Sequence, residues 1–383
     1  MYHVLMFQVP FSSPYVPELA IEFIKESLKS PEQQGDGIFS QQCENMISRM
    51  YEDAKCLLVP SCTAALELSS MLIDLEYDEE VIMPSFTFTS AATAITKFKG
   101  IPIFCDIDPE NGCIDSEKIE DLITEKTKAI SYVNYAGNGP NVDKIIEIAR
   151  KYKLRIIEDA AHNFGVLTHS QESLTGDFVT FSFHATKNIQ CGEGGAIIIR
   201  DESLLEKAQI IREKGTNRID FKRGKVNKYR WVGSGSSYLL AEVNSAILKA
   251  SLIEFKGIQV KRTSLVRNYE SKLGFIGEFG WTTFNGTLNS AHMFALLAPD
   301  ETSRKFLSQR LSDFGITAVS HYEDLSTSPE GLRIGRASKS GCPESIKFSK
   351  RILRLPLFTS MTISQVEYVV DSIRAILSKE KIS

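Results

Sequence analysis

A lysine and an acidic residue, each placed just after or at the end of a strand-like run, define the chemistry open to this chain. Lys187 lies within Phe181-Ser-Phe-His-Ala-Thr-Lys-Asn188, and Asp159 ends the run Arg155-Ile-Ile-Glu-Asp159. A lysine becomes an imine-forming nucleophile when its ammonium loses a proton easily, which desolvation in a pocket favours. A carboxylate at the mouth of a buried strand is costly unless paired, and a protonated pyridine nitrogen is a suitable partner. Together they are what pyridoxal phosphate requires: the amine holds its aldehyde, and the carboxylate keeps its ring nitrogen protonated so that the ring draws electrons. Alone, Lys187 is compatible with a surface turn and Asp159 with a helix cap. Glu158 beside it points to the other face by strand alternation.

Other residues could complete such a site. Ser61-Cys-Thr-Ala-Ala65 joins a strand to a helix, so its backbone N–H groups and the Thr63 hydroxyl can cradle an anion. Ser182 and the small-residue turn Gly235-Ser-Ser237 are further phosphate candidates. Phe88 either lies on the cofactor ring or packs in the core, and His162 either contacts the cofactor or is structural. The segment 214–230 carries seven basic residues and one acid; it either neutralises a diphosphate or substrate carboxylate or is a solvated loop.

These residues need a scaffold that gathers strand ends. From about residue 55 to 200, strand-like runs (Lys55–Val59, Glu80–Met83, Pro102–Ile107, Ala129–Tyr135, Arg155–Glu158, Phe178–Phe183, Ala196–Arg200) mostly alternate with helical patterns. That alternation predicts an α/β architecture, a mostly parallel seven-stranded sheet with helices on both faces and ligands at the strands' carboxyl ends. Residues 1–245 are expected to form this large domain and 246–383 a smaller C-terminal α/β domain. The chain has 383 residues, is 43% hydrophobic and carries a formal net charge of -4, which points to neither a nucleic-acid nor an anionic-membrane partner. Its first residues lack a secretory pattern, and its seven scattered cysteines form no C-x-x-C pair. A cytoplasmic protein with reduced thiols and no metal is expected.

The chain resembles the fold-type-I pyridoxal phosphate enzymes, specifically the DegT/StrS-type sugar-nucleotide aminotransferases. The resemblance rests on Gly35-Asp-Gly37, Pro60-Ser-Cys-Thr-Ala64, Val81-Ile-Met-Pro-Ser-Phe-Thr-Phe88, Glu158-Asp-Ala-Ala-His162, Phe181 to Asn188 and Gly192-Glu-Gly-Gly195. It implies that Lys187 forms the Schiff base, Asp159 pairs with the pyridinium, and Thr63, Ala64 and Ser182 bind phosphate. It also implies that Ser237 reaches in from the neighbouring subunit of a homodimer and that Phe88 stacks on the ring beside His162. Substrate contacts are expected from Asp36, Asn134, Tyr135, Arg218 and His321. Asn134 departs from the family's usual histidine, and the stretch after Tyr322 lacks its proline and second histidine. The segments 211–218, 235–238 and 353–358 are closest to the subgroup acting on dTDP-4-keto-6-deoxyglucose. The implied reaction is transamination of that sugar nucleotide by L-glutamate. Another keto sugar nucleotide (3-keto or UDP-linked) and a catalytically idle regulatory member are the alternatives.

Overall fold

In the computed structural model, residues 8–166, 176–284 and 290–380 are described; the N-terminal residues 1–7, read above for a leader, lie outside them. Continuous apolar runs such as Val81-Ile-Met83 and Ala196-Ile-Ile-Ile199 are buried along their whole length, as strands covered by helices on both faces must be. The runs become β1 (Lys55–Val59), β2 (Glu80–Pro84), β3 (Ile101–Cys105), β4 (Thr127–Val133), β5 (Arg155–Asp159), β6 (Phe178–Ser182) and β7 (Gly195–Ile199). The sheet order is β1-β7-β6-β5-β4-β2-β3, followed at the edge by an eighth strand of two residues, Arg336–Ala337. That strand pairs parallel with β3 and is too short to leave a periodic signature in the sequence.

Strands β2 to β6 are mutually parallel, whereas β7 is antiparallel to both β6 and β1. Six of the first seven strands therefore point the same way, and their carboxyl ends share one edge of the sheet. The tight return from β6 into β7 brings residues 183–194, with Lys187, to that edge. Expected and observed strands differ mainly at β3, which ends at Cys105 rather than Ile107, and at β4, which ends at Val133 rather than Tyr135. There the chain turns through Ala136, whose φ of 57° is left-handed and unusual for a residue with a Cβ.

The C-terminal part carries its own antiparallel sheet. Its strands are β8 (Thr282–Phe284), β9 (Phe294–Leu297), β10 (Val319–Ser320) and, after the edge strand β11 (Arg336–Ala337), β12 (Ile352–Leu355), in the order β10-β12-β9-β8. A separate apolar core, with Tyr269, Phe294, Leu311 and Val369 fully buried, lies beneath it against the helices Phe255–Lys272 and Ile363–Glu380. Val9 bridges to Ile316 and joins this core, so residue 9 packs with the C-terminal part. A second cluster contains Phe86, Tyr135, Phe284 and Phe348 and seals the two sheets together beside the edge that holds Lys187. No described helix is long and apolar enough to cross a membrane.

Candidate active site

Between the two sheets lies a cavity of about 370 Å³ whose walls include Ser61, Thr63, Phe88, Asp159, His162, Ser182, Lys187, His321 and Arg354. The sequence-predicted core of the site is thus gathered around one space, because β1, β2, β5 and β6 deliver their carboxyl ends to it.

Lys187 reaches the cavity from the β6–β7 return. Desolvation lowers its amine to about 8, against the partial restoring effects of Asp159 and Cys62; Arg354 lowers it further. At neutral pH its proton is therefore far easier to remove than that of a surface lysine. Asp159 is only 6% exposed, and burial raises its carboxyl above the usual range. Its Oδ1 accepts the Ala161 N–H at 3.0 Å and a weak Cys62 thiol hydrogen bond at 3.9 Å. These neutral donors and the nearby Lys187 do not fully offset the desolvation of the carboxylate, so a protonated ring nitrogen is a fitting occupant of the space it faces.

The helix Cys62–Leu72 starts at the end of β1 with its N-terminus open to the cavity. Ser61 Oγ caps it by accepting the Ala64 N–H at 3.1 Å, and Thr63 Oγ1 lies 2.7 Å from Ser90 Oγ. Ala64 is therefore engaged by the cap, which leaves Thr63, the helix N-terminus and Ser182 to meet a phosphate. Gly195 allows this turn to approach the sheet. A Cβ there would lie 2.4 Å from the Ser61 carbonyl carbon and 2.6 Å from the Cys62 nitrogen. Gly195→Ala is expected to displace the turn and weaken cofactor binding by tenfold or more, on the order of 1–3 kcal/mol. Equilibrium titration of the cofactor-free variant with pyridoxal phosphate measures this.

Phe88 is 54% exposed along the cavity wall, 5.8 Å from the Tyr322 ring, so core packing does not explain it. His162 is buried and stacks on His292 with ring centroids 4.3 Å apart. Desolvation, reinforced by Lys187 and the neighbouring histidines, pushes it well below its ordinary value and keeps it neutral. Its Nδ1 accepts the Ala136 N–H at 3.4 Å, which places the ring proton on Nε2, 3.2 Å from the Tyr322 hydroxyl. Tyr322 has a φ of 27°, a strained backbone of the kind found at functional sites. His321 lines the cavity and shares a 2.7 Å hydrogen bond with the Tyr135 hydroxyl.

Other expected contacts lie elsewhere in this chain. Asn134 and Tyr135, both 1% exposed, stand behind the wall; Asn134 donates to Glu158 Oε1 at 2.6 Å. Asp36 accepts from buried Arg212 at 2.6 Å, and Arg218 pairs with Glu213 at 2.8 Å, both away from the cavity. Ser237 is exposed and bridges to Glu213 rather than lining the cavity. Phe11, Ser90 and His292 of the cavity wall went unnoticed in the sequence, and Arg354 was read only as part of the segment 353–358, with no role in the site. Arg354 had a visible signal: a charge inside the apolar run Ile352-Leu-Arg-Leu355 must find a partner.

Residues 16–374 match the DegT/DnrJ/EryC1/StrS aminotransferase family. The chain belongs to that family. An uncharacterized protein of Methanocaldococcus jannaschii is 31% identical over 330 residues, covering 84% of this chain and 85% of its own. Among solved structures, Spr1654 of Streptococcus pneumoniae in its pyridoxal phosphate form superposes with a TM-score of 0.89 at 24% identity, covering 97% of this chain and 98% of that one. Helicobacter pylori PseC, an aminotransferase involved in pseudoaminic acid biosynthesis, gives 0.85 at 23%, covering 97% and 100%. These likenesses show that the fold is that of pyridoxal phosphate-dependent aminotransferases. The residues of this family member fit the cofactor: an amine with a lowered pKa, a buried carboxylate and an open helix N-terminus face one cavity.

Proposed function

We propose that this protein transfers the amino group of L-glutamate to a nucleotide-linked 4-keto-6-deoxy sugar, dTDP-4-keto-6-deoxyglucose, giving dTDP-4-amino-4,6-dideoxygalactose. The observation that carries the reading is Lys187 and Asp159 facing one cavity, the first with a lowered pKa and the second deeply buried. Bound there, pyridoxal phosphate supplies an electron sink for the carbon that carries the amine. Lys187 holds the cofactor until substrate displaces it, then moves the proton at the substrate carbon bearing nitrogen. Asp159 pairs with the ring nitrogen, and His162 and His321, both held neutral by burial, add no charge beside it. Thr63 and Ser182 hold the phosphate end.

The sugar assignment rests on the segments 211–218, 235–238 and 353–358. The basic segment 214–230 offers charge for the diphosphate; Lys222 and Lys225 pair with acids at 3.1 and 3.5 Å, while Trp231 beside it is 82% exposed. That exposed aromatic, with Tyr229, Val232 and Ser237 nearby, supports a homodimer in which Ser237 completes the neighbouring site.

Visible spectra of the cofactor-loaded protein test the proposal. Adding L-glutamate is expected to bleach the yellow band and release 2-oxoglutarate. Adding dTDP-4-keto-6-deoxyglucose is then expected to restore the band, with the amino sugar as product. Recovery only with a 3-keto or UDP-linked sugar would move the substrate within the family. No bleaching with any amino acid would overturn the transaminase reading.

A further inference from the structure

Asn188, the residue directly after Lys187, joins the β6–β7 return to the C-terminal part. Its side-chain amide donates to the Ser290 carbonyl at 2.6 Å and to Gln259 Oε1 at 2.8 Å. Gln259 Nε2 donates to the same carbonyl at 3.2 Å. A backbone carbonyl carries no proton, so it fixes which end of the Asn188 amide is the NH2 group. The other end, Oδ1, lies 3.1 Å from His292 Nδ1 and can only accept. His292 is therefore held as the Nδ1–H tautomer, with a bare lone pair on Nε2. That nitrogen has no hydrogen-bond partner among the described residues, and His292 forms part of the cavity wall. The ring is held firmly. It stacks on His162 at 4.3 Å; its backbone N–H donates to Ser290 Oγ at 3.2 Å, which in turn donates to the His162 carbonyl at 2.6 Å. Buried Arg262 donates to the carbonyls of Ala291 and His292 at 2.9 and 2.8 Å. Ala291 has a φ of 42°, a left-handed conformation unfavourable for a residue with a Cβ. Desolvation, then the Lys187 and Arg354 charges, push the His292 imidazole well below its ordinary value, so it is neutral.

We infer that Asn188 is a positioning residue that locks this tautomer, and that the Nε2 lone pair of His292 receives the hydroxyl beside the carbonyl of the keto sugar. This rests on the sugar aminotransferase reading above and deepens it. Of the two substrates only the sugar suits such an acceptor. Beyond its reacting nitrogen, L-glutamate offers two carboxylates, which have no proton to give. A sugar brings hydroxyls, and each hydroxyl hydrogen withdrawn from water needs an acceptor. The carboxylates of the wall are engaged otherwise. On the same reading Asp159 is taken by the ring nitrogen, and the Glu193 side chain is 66% exposed and 3.6 Å from His184. His162, stacked beside His292, presents an N–H to Tyr322 rather than a lone pair, so the two imidazoles are not interchangeable. Because Asn188 follows Lys187 in the chain, the acceptor is registered to the amine that moves the proton at the reacting carbon. A hydroxyl held there fixes that carbon relative to Lys187.

The two half-reactions are followed separately in cofactor-loaded wild type, His292→Gln, His292→Phe and Asn188→Ala. Glutamine can place an amide oxygen near the Nε2 position, whereas phenylalanine keeps the stacking on His162 and removes the acceptor. L-Glutamate first bleaches the visible band, and the keto sugar nucleotide is then titrated to restore it. Half-saturation in this second step is expected to rise by about tenfold to a hundredfold in His292→Phe. His292→Gln is expected to recover part of that loss, and the L-glutamate step to change by less than about threefold. The same sugar nucleotide lacking the neighbouring hydroxyl is expected to bind wild type about as weakly as the parent binds His292→Phe, and to lose little more in that variant. Additive losses from hydroxyl and imidazole overturn the inference, as does an equal fall in both half-reactions, the mark of a merely structural role. Nitrogen NMR of the histidine-labelled protein tests the lock without any sugar. His292 is expected to show a protonated Nδ1 and a bare Nε2 in wild type, and a mixture of the two tautomers in Asn188→Ala. The opposite tautomer in wild type overturns the inference. If L-glutamate bleaches the band and wild type accepts no keto sugar, the sugar reading falls and takes the hydroxyl contact with it.

Discussion

Lys187→Met is expected to lower turnover by about 10⁴-fold or more while making the cofactor-free protein more stable at neutral pH. On the proposed function the first effect follows because the same amine would hold the cofactor and move the proton, and methionine can do neither. The second follows from linkage. Lys187 titrates at about 8 in the folded protein, against the ordinary value of 10.5. Between those pH values the unfolded chain binds more protons at this position than the native state. Stability therefore rises with pH through that window, and the full penalty is present below about 8. The difference corresponds to at most about 3 kcal/mol at pH 7, and solvent access through the cavity reduces it. Methionine keeps most of the volume and removes the charge. Denaturant midpoints of the cofactor-free wild type and variant should differ at pH 7 and converge towards pH 10.5. A variant less stable than wild type at pH 7 would show that Lys187 is not desolvated as described, and wild-type-like turnover would remove it from the chemistry.

Asp159→Asn is expected to cost about 10²–10³-fold in kcat, the range for removing one preorganised electrostatic partner. Asparagine retains the shape but cannot hold a proton on the ring nitrogen by charge. Its second consequence is internal to the protein. Asp159 is the largest influence raising Lys187, so its neutralisation should move the lysine below about 8. In the cofactor-free protein, the pH above which the Lys187 amine reacts with added pyridoxal phosphate should shift downward accordingly. The carboxyl is itself raised by burial, so the native state binds more protons here than the unfolded chain once pH exceeds the ordinary value. Stability from this position falls as pH rises through the raised value, and asparagine removes that loss. A cofactor-free Asp159→Asn protein that is more stable than wild type at pH 7, yet hundreds of times slower when loaded, is the expected combination. Retention of near-wild-type kcat would mean that another group controls the ring nitrogen.

Much of the site could be read without coordinates because its chemistry is local to strand ends. Lys187, Asp159, Thr63, Phe88 and Ser182 lie at or just after strands whose apolar runs mark them, and a parallel sheet collects such ends along one edge. Three of the residues singled out by motif do not line this chain's cavity, because other side chains hold them. Asp36 is held by Arg212 and Arg218 by Glu213, and Asn134 turns behind the wall to Glu158. Nothing in the local sequence announces those partners.

The sequence by itself determined the alternation of strands and helices, the lysine and carboxylate at two of the strand ends, and membership of an aminotransferase family. Periodicity and residue type suffice for the first two, since each depends on neighbours a few positions away; the third rests on the match of residues 16–374 to known proteins. Only the tertiary structure decided that β7 runs against its neighbours, returning the chain so that Gly195 packs on the Ser61 turn. It alone brought Arg354, His292 and Tyr322 from the far end of the chain to face Lys187. Burial, which lowers the Lys187 amine and holds His292 and Arg354 at the cavity, is a property of what surrounds a side chain in space, and spacing along the chain does not encode it.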